Sequence, residues 1–424
     1  VLAAVREQMV LGSANVGGYY PTSERVLTAV TSAREAAADL FNCETQEVTF
    51  GNNATTLMLH VAQALRRHLA AKGPGGNVVL SRLEHDANAG PWAAVAEEAG
   101  CEVRWVPVRG PDAVLDLDAL EAAVQDGGRT RFVAVGAASN ATGSLTNVAR
   151  ACAAARAVGA LCFVDAVHYA PHAALDVRAI GCDLMVASPY KFFGPHAGLL
   201  YGRAAIMQDV LQPYKIRTSD NRLPSAANYS MSRWEVGTQN FEAIAGVEAC
   251  INYIAGLGLR YGGVARSRWA PPLQQRTTAP QPLPDILPVV SGPAVAAGRR
   301  ECLLAGWDVV GAHEDRIKAR FLEGAAAVPD LRVFGIADRG RLHERTATFA
   351  VTKGGMDPDV LTQRLVVDHS IFCTSGNHYC TFWDDVYPGT TATNNTGATR
   401  LGFLHYNTLE EVDRVLEVLE RIRV

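Results

Sequence analysis

The chain has 424 residues, of which 48% are hydrophobic and 19% charged, and its formal net charge is −4. This length favours two domains, or one large and one small domain, with ample apolar material for a core. A weakly acidic chain has no electrostatic attraction to nucleic acid or to an anionic membrane, so neither is expected as a partner.

The first residues, VLAAVREQMVLGSANVGG, lack the charged leader, the long apolar core and the cleavage site of a signal peptide. No uninterrupted apolar run approaches the roughly 20 residues of a membrane span, so we expect a cytoplasmic protein. The nine cysteines show no CxxC spacing and no Cys/His cluster. We expect reduced thiols and no metal site.

Helical and strand-like patterns alternate along the first half of the chain. In order, the sequence predicts a helix at 54–70, a strand at 77–81, a helix at 90–100, a strand at 101–108, a helix at 117–125, a strand at 131–139, a helix at 147–159, and strands at 160–166, 183–188 and 197–203. Because these strands are continuously apolar and most are followed by a helix, they predict an α/β fold with a mostly parallel sheet covered on both faces.

The second half predicts a long helix at 241–258, followed by a segment rich in Pro, Gly and Ala at 262–300. Mixed helix and strand patterns then continue to the end. We therefore predict four regions: an N-terminal segment (1–25) near the functional site or the small domain, a large domain (26–261), an irregular connection (262–304), and a smaller α+β C-terminal domain (305–424).

Polar residues follow three of the predicted strands, and ligands of such sheets bind beyond the carboxyl ends of the strands. These residues are Asn140, Asp165, His168, Ser188, Tyr190 and Lys191. Lys191 lies among aromatic and apolar residues, in ASPYKFFGPHAGLLYG (187–202). Its stem could cover apolar surface while the ammonium reaches water, or the chemistry could need a nucleophilic amine. Taken alone, Asp165 could equally be a helix cap.

Together these residues point to one cofactor, pyridoxal 5′-phosphate. The helix that begins at Ala54 offers free N–H groups to a phosphate, and Ser188 and Tyr190 add hydroxyl groups. A carboxylate such as Asp165 can hold a pyridinium nitrogen, and a lysine such as Lys191 can condense with an aldehyde. A nicotinamide-binding protein is not expected, because the chain lacks a GxGxxG strand–turn–helix.

Seven motifs in order resemble the class V aminotransferase family of fold-type I pyridoxal-phosphate enzymes, and within it the cysteine desulfurase-like branch. The motifs are FGNNATTLMLH, EHDAN, SNATGS, VDAVHYAPH, SPYKFFGPHAGLLYGR, WEVGTQN and TRLGFLHYNT. The resemblance covers nearly the whole chain apart from 262–300. It implies a large domain with a seven-stranded sheet and a smaller α+β C-terminal domain.

The resemblance also implies roles around the cofactor ring. Lys191 would form the Schiff base, Asp165 would pair with the pyridinium nitrogen, and His85 would stack on the ring and assist proton transfer. Asn140 and His168 would lie near the phenolic oxygen of the cofactor. The residues implied around the phosphate are Ala54, Thr55, Ser188 and Tyr190, together with Thr238 from a neighbouring subunit. The last contact implies a homodimer with shared active sites.

Substrate contacts are implied for Arg400, Asn15 and His378. Arg400 would bind the α-carboxylate of an amino acid, for which a planar guanidinium is suited.

The resemblance fails at SIFCTSGNHYCTFW (370–383), where desulfurases need a mobile nucleophilic cysteine in the pattern R-x-G-x-H-C. Aligning Gly376 and His378 places Tyr379 at the nucleophile position and Cys380 one residue later. One residue along an extended chain turns a side chain to the opposite face. Cys380 and Cys373 are therefore the candidate nucleophiles. The favoured alternative is that neither thiol is catalytic and that Tyr379 or His378 lines the substrate pocket instead.

The resemblance, which is closest to the cysteine desulfurase-like branch, implies cleavage of the C–S bond of cysteine or a cysteine derivative, by persulfide transfer or by β-elimination. Persulfide transfer would add a sulfur-accepting protein as a partner. Transamination or epimerisation of another amino acid is the alternative, because all of these reactions begin with Cα deprotonation at the same lysine. A non-catalytic protein that retains the fold is disfavoured by the presence of Lys191, Asp165 and Arg400 together.

Overall fold

The structure, a computed structural model, describes residues 1–214, 234–264, 266–267, 296–390 and 397–423. Most of the predicted connection at 262–304 lies outside the described residues. The helices are α1 (Leu2–Leu11), α2 (Pro21–Phe41), α3 (Ala54–Ala71), α4 (Gly90–Glu98), α5 (Leu117–Val124), α6 (Val148–Ala157), α7 (Val177–Ile180), α8 (Phe241–Tyr261), α9 (Arg299–Ala325), α10 (Pro358–Gln363), α11 (Trp383–Val386) and α12 (Leu409–Arg421).

The strands are β1 (Val48–Gly51), β2 (Asn77–Ser81), β3 (Glu102–Val106), β4 (Val108–Arg109), β5 (Val114–Leu115), β6 (Thr130–Gly136), β7 (Leu161–Asp165), β8 (Leu184–Ala187), β9 (Gly198–Gly202), β10 (Arg266–Ser267), β11 (Ala296–Ala297), β12 (Leu331–Phe334), β13 (Thr348–Lys353), β14 (Thr374–Gly376) and β15 (Ala398–Gly402). Seven of these strands form the large sheet, in the order β1-β9-β8-β7-β6-β2-β3.

The large sheet is mostly parallel, which confirms the predicted α/β fold. The five strands β8, β7, β6, β2 and β3 pair in parallel, whereas β9 is antiparallel to both β8 and β1. The reversal at β9 follows from its short connection to β8, since a parallel neighbour needs a long crossover. The carboxyl ends of the parallel strands therefore share one edge of the sheet.

Helices cover both faces of this sheet. On one face α3 and α4 pack on it, and Trp92 of α4 lies 5.0 Å from Phe132 of β6 and 4.9 Å from Phe163 of β7, measured between ring centroids. On the other face α2, α6 and α8 contribute to a second apolar cluster. Buried on both faces, the strands need apolar side chains at every position, which explains their lack of alternation.

The C-terminal part forms a four-stranded antiparallel sheet in the order β12-β13-β15-β14. Its core includes Phe321 of α9 stacked on Phe349 of β13 at 4.0 Å. The smaller α+β domain predicted from sequence is thus present. Helix α9 begins at Arg299, before the predicted boundary at 305, and continues from the large domain into the small one.

Helices α8 and α9 approach closely because glycines lie at their crossing. A Cβ on Gly258 would come within 2.0 Å of the carbonyl oxygen of Cys302, and one on Gly306 within 2.3 Å of that of Ile254. Helix α8 is long and apolar enough to cross a membrane, yet 67% of its most apolar window is buried inside the protein. Its apolar character therefore matches its position between α2 and α9.

We expect Gly258→Ala to destabilise the protein by about 1–3 kcal/mol, because the added methyl group forces the two helices apart. Gly256→Ala in the same helix is the matched control, since a Cβ there meets nothing within 4 Å. The control should stabilise the helix by up to about 1 kcal/mol. Urea unfolding followed by circular dichroism measures both, and equal stability of the two variants would contradict the close crossing.

Candidate active site

The sheet register brings the predicted lysine and carboxylate to one edge. Asp165, the last residue of β7, lies opposite Gly136 of β6 and Val186 of β8. Directly after β8, a single 3₁₀ turn (Pro189–Phe192) carries Lys191, whose backbone N–H donates to the carbonyl oxygen of Ser188 at 2.9 Å. Lys191 and Asp165 are therefore neighbours at the carboxyl ends of adjacent strands.

The charges at this edge influence each other. Burial raises the pKa of Asp165 to about 6, although the Val167 N–H donates to its Oδ1 at 2.8 Å and the positive charge of Lys191 favours the carboxylate. Burial also lowers the pKa of His85, and the positive charges of Lys191 and Arg400 lower it further. The charge of Lys191 therefore acts on both Asp165 and His85, and the charge of Arg400 acts on His85.

His85 follows β2 at the same edge of the sheet. Its Nδ1 accepts a hydrogen bond from the backbone N–H of Ala87 at 3.1 Å, which leaves the proton of the neutral ring on Nε2. This fixed ring is suited to stack on a planar ligand and to donate a proton.

Glu84, next to His85, is a buried carboxylate that was not predicted from the sequence as a site residue. Its Oε1 accepts from the Gly136 N–H at 2.9 Å and its Oε2 accepts from the Asn88 side chain at 2.6 Å. Burial raises its pKa to about 7, and the nearby Asp165 charge adds to the effect. Through the Gly136 N–H, Glu84 connects the segment that carries His85 to the end of β6. The motif EHDAN contained this residue, but nothing in its spacing indicated burial.

The predicted phosphate-binding residues lie around the start of α3. Asn53 caps this helix by accepting from the Thr56 N–H at 2.8 Å, and the first N–H groups of a helix, here those of Ala54 and Thr55, have no partner within it. Gly198 allows β9 to pass this turn, because a Cβ there would lie 2.6 Å from the backbone of Asn53. The exposed first turn is thus a ready anion site.

Ser188 and Tyr190, which are predicted to hold the same phosphate, differ in exposure. Ser188 is buried and its hydroxyl donates to the Ala197 carbonyl at 3.4 Å. Tyr190 is exposed, stacks on His196 at 5.0 Å, and has the Lys191 Nζ 5.0 Å from its ring centroid.

Arg400 enters the site from the small domain. It lies on β15, opposite Ala350 of β13 and Thr374 of β14, and its Nη1 donates to the backbone carbonyl of Asn140 at 2.8 Å. The side-chain amide of Asn140 donates in turn to the carbonyl oxygen of His378 at 2.7 Å. Asn140 therefore links the end of β6 to two segments of the small domain.

His168 also faces the small domain. Its Nε2 lies 3.1 Å from the Thr348 hydroxyl and 3.5 Å from that of Thr346. Burial lowers the pKa of His168 well below its usual value, and the charges of Lys191 and Arg400 act in the same direction. A position near the cofactor's phenolic oxygen stays a prediction for His168 and Asn140.

The cysteine loop turns its two thiols away from an activating environment. Cys380 is 1% exposed, its Sγ points to the carbonyl of Arg82 at 3.8 Å, and burial raises its pKa to about 12. Cys373 lies against the small-domain core, and burial raises its pKa to about 11. The thiolate is the nucleophilic form, so both sites disfavour it.

His378, which belongs to the same loop, is buried. Its Nδ1 lies 3.0 Å from the hydroxyl of the fully buried Tyr387, and burial lowers its pKa to about 3. Asn15 and Thr238 are exposed: the Asn15 carbonyl accepts from Ser23, and Thr238 precedes α8. The substrate contact of Asn15 and the contact of Thr238 with the phosphate of a neighbouring subunit stay predictions.

The aminotransferase class-V family matches residues 1–262, and the chain therefore belongs to this family, as its motifs predicted. Among its relatives, the aminotransferase-like protein FGM3 of Gibberella zeae is 25% identical, over 99% of this chain and 90% of that protein. A cysteine desulfurase of Pectobacterium carotovorum is 33% identical, over 57% of this chain and 60% of that enzyme.

Two solved structures share the fold across the whole chain. The apo cysteine desulfurase of Thermococcus onnurineus superposes with a TM-score of 0.77 at 22% identity, covering 99% of this chain and 90% of that one. The cysteine desulfurase CsdA of Escherichia coli gives 0.73 at 21% identity, with the same coverage. These likenesses confirm the predicted fold of a large, mostly parallel sheet with a smaller C-terminal domain.

Because the Cys380 thiol is buried and its pKa is raised, we expect it to react with iodoacetamide at pH 8 roughly 100-fold or more slowly than in urea-unfolded protein. Peptide mass spectrometry after timed quenching measures the rate at each cysteine, and Cys380→Ser assigns the peptide. Equal rates in the folded and unfolded protein would show that the thiol is accessible and contradict its placement.

Proposed function

We propose that this protein uses pyridoxal 5′-phosphate to cleave the C–S bond of cysteine or a cysteine derivative. The proposal rests on the placement of Lys191 and Asp165 at the carboxyl ends of adjacent strands. His85 follows β2 at the same edge, and Arg400 is bonded to Asn140 after β6. An amine for the aldehyde, a carboxylate for the ring nitrogen, a planar ring to stack and a guanidinium for the substrate carboxylate are the groups this chemistry needs.

The residues present fit this cofactor. The raised pKa of Asp165 means that its buried carboxylate lacks enough compensating positive charge, which a protonated ring nitrogen would supply. The first turn of α3, at Ala54 and Thr55, would hold the phosphate, with Ser188 and Tyr190 beside it. Members of the matched family typically use this cofactor.

Each residue then has a defined task. Bound pyridoxal phosphate supplies an electron sink that stabilises negative charge at the Cα of an amino acid. Lys191 would hold the cofactor covalently, and its released Nζ would take the Cα proton. Arg400 would orient the substrate by its carboxylate, while His85, with a proton on Nε2, would cover the ring and donate a proton.

The buried Cys380 thiol and the half-buried Cys373 thiol support elimination rather than persulfide transfer. β-Elimination needs the amine of Lys191 but no protein nucleophile, so it is compatible with the raised pKa values of Cys380 and Cys373. Persulfide transfer would require an exposed thiolate that can reach the substrate sulfur.

Transamination or epimerisation is the second candidate. It is supported by the same burial of the Cys380 thiol and by the full-length relative that is described as aminotransferase-like. Both reactions share Cα deprotonation by Lys191 with elimination, so product identity distinguishes them.

The test is to incubate the protein with pyridoxal phosphate and a panel of amino acids that includes cysteine and cystine, with product mass spectrometry. We expect pyruvate and a sulfur product from the sulfur amino acids, and activity within about twofold of wild type for the double variant Cys373→Ser/Cys380→Ser. Lys191→Ala should lose all product. Lys72→Ala is the control, because this exposed lysine caps the opposite end of α3.

Alanine with a persulfide on Cys380 would contradict the elimination mechanism. A keto acid or an inverted amino acid, formed without C–S cleavage, would favour the second candidate.

A further inference from the structure

Tyr379 is a large aromatic residue exposed at the site. Its side chain is 72% exposed, and its ring centroid lies 5.1 Å from that of His85, with 31° between the two ring planes. His85 in turn lies close enough to Lys191 and Arg400 for both charges to lower its pKa. The ring of Tyr379 thus contacts the imidazole ring of His85, which is predicted to stack on the cofactor.

The turn that holds Tyr379 is fixed to the His85 segment. The backbone N–H of Tyr379 donates to Asn377 Oδ1 at 3.0 Å, and its carbonyl accepts from the Asp86 N–H at 2.8 Å. The Thr381 hydroxyl donates to Asp86 Oδ1 at 2.9 Å. A loop with these bonds holds a defined position beside His85.

The conformation of this turn decides which side chain faces outward. His378 and Tyr379 are consecutive left-handed residues, with φ of 53° and 61°, an arrangement that is unfavourable for residues other than glycine. It directs Cys380 into the core, where its backbone pairs with that of His85, and leaves the Tyr379 ring outside. Such strain persists only where surrounding contacts over-determine it, and it is typical of functional sites.

We propose that the ring of Tyr379 contacts the side chain of the amino-acid substrate, so that the site selects an apolar or thioether side chain longer than that of alanine. The proposal rests on the proposed function. An aromatic face binds apolar groups and thioether sulfur favourably. A ring at this position replaces the thiol that sulfur transfer would need, and S-substituted cysteines are the substrates it would favour.

The test measures amino-acid binding rather than turnover. Holoprotein is titrated with L-methionine, a thioether with no leaving group at Cβ, and with L-alanine, and binding is followed by the change in cofactor absorbance. We expect Tyr379→Ala to weaken methionine binding about fivefold, the effect of one aromatic contact, and alanine binding less than twofold. Tyr379→Phe keeps the ring and should stay within about twofold of wild type for both ligands.

Equal weakening of both ligands by Tyr379→Ala, no weakening of either, or a loss in Tyr379→Phe as large as in Tyr379→Ala would overturn the proposal. The placement has its own test without cofactor: the thiol of Tyr379→Cys should react with iodoacetamide much faster than Cys380, and equal rates would contradict it. If wild-type protein binds no pyridoxal phosphate, the proposed function fails instead, and this second measurement still reports on the loop.

Discussion

Two hydrogen bonds made by Asn140 connect the large sheet to the parts of the small domain that carry Arg400 and His378. Its carbonyl accepts from Arg400 and its side-chain amide donates to the carbonyl of His378, at 2.8 Å and 2.7 Å. Asn140 follows β6 at the edge where Asp165 and Lys191 also lie. The loop that follows β6 therefore binds both the guanidinium of Arg400 and the turn that carries Tyr379 and Cys380.

A buried arginine reinforces the same junction. Arg345 is 1% exposed and donates to backbone carbonyls on both sides of it, including those of Thr142, just after Asn140, and Thr348 in β13. Burial lowers its pKa to about 9, because the guanidinium is removed from water. Arg345 and Arg400 thus both bind backbone carbonyls in the segment that follows β6.

Much of the fold could be predicted from sequence because continuous apolar runs report burial on both faces. The strands at β2, β6, β7 and β8 fall within or close to their predicted limits for this reason. Strand direction is not encoded in hydrophobic pattern, so the reversal of β9 appears only in the structure. The start of α9 at Arg299 lies next to residues whose Pro/Gly-rich composition hides any helical period.

The neighbouring positions of Lys191 and Asp165 could be predicted because each residue ends or follows an apolar strand of one parallel sheet. Arg400 was suggested by the family resemblance alone. The site was not predictable where three-dimensional context decides. Two consecutive left-handed residues determine that Cys380 points inward and Tyr379 outward, and His and Tyr carry no signal for that conformation. Glu84 was missed because Gly136, 52 residues along the chain, becomes its neighbour only after folding.

We propose above all that Lys191 binds pyridoxal phosphate covalently at the edge formed by β7 and β8. The most direct measurement is to add the cofactor to purified protein, reduce with borohydride, and map the modified peptide by mass spectrometry. We expect one modification, on Lys191, which is absent in Lys191→Ala. Reduced cofactor distributed over surface lysines, or none at all, would contradict the account.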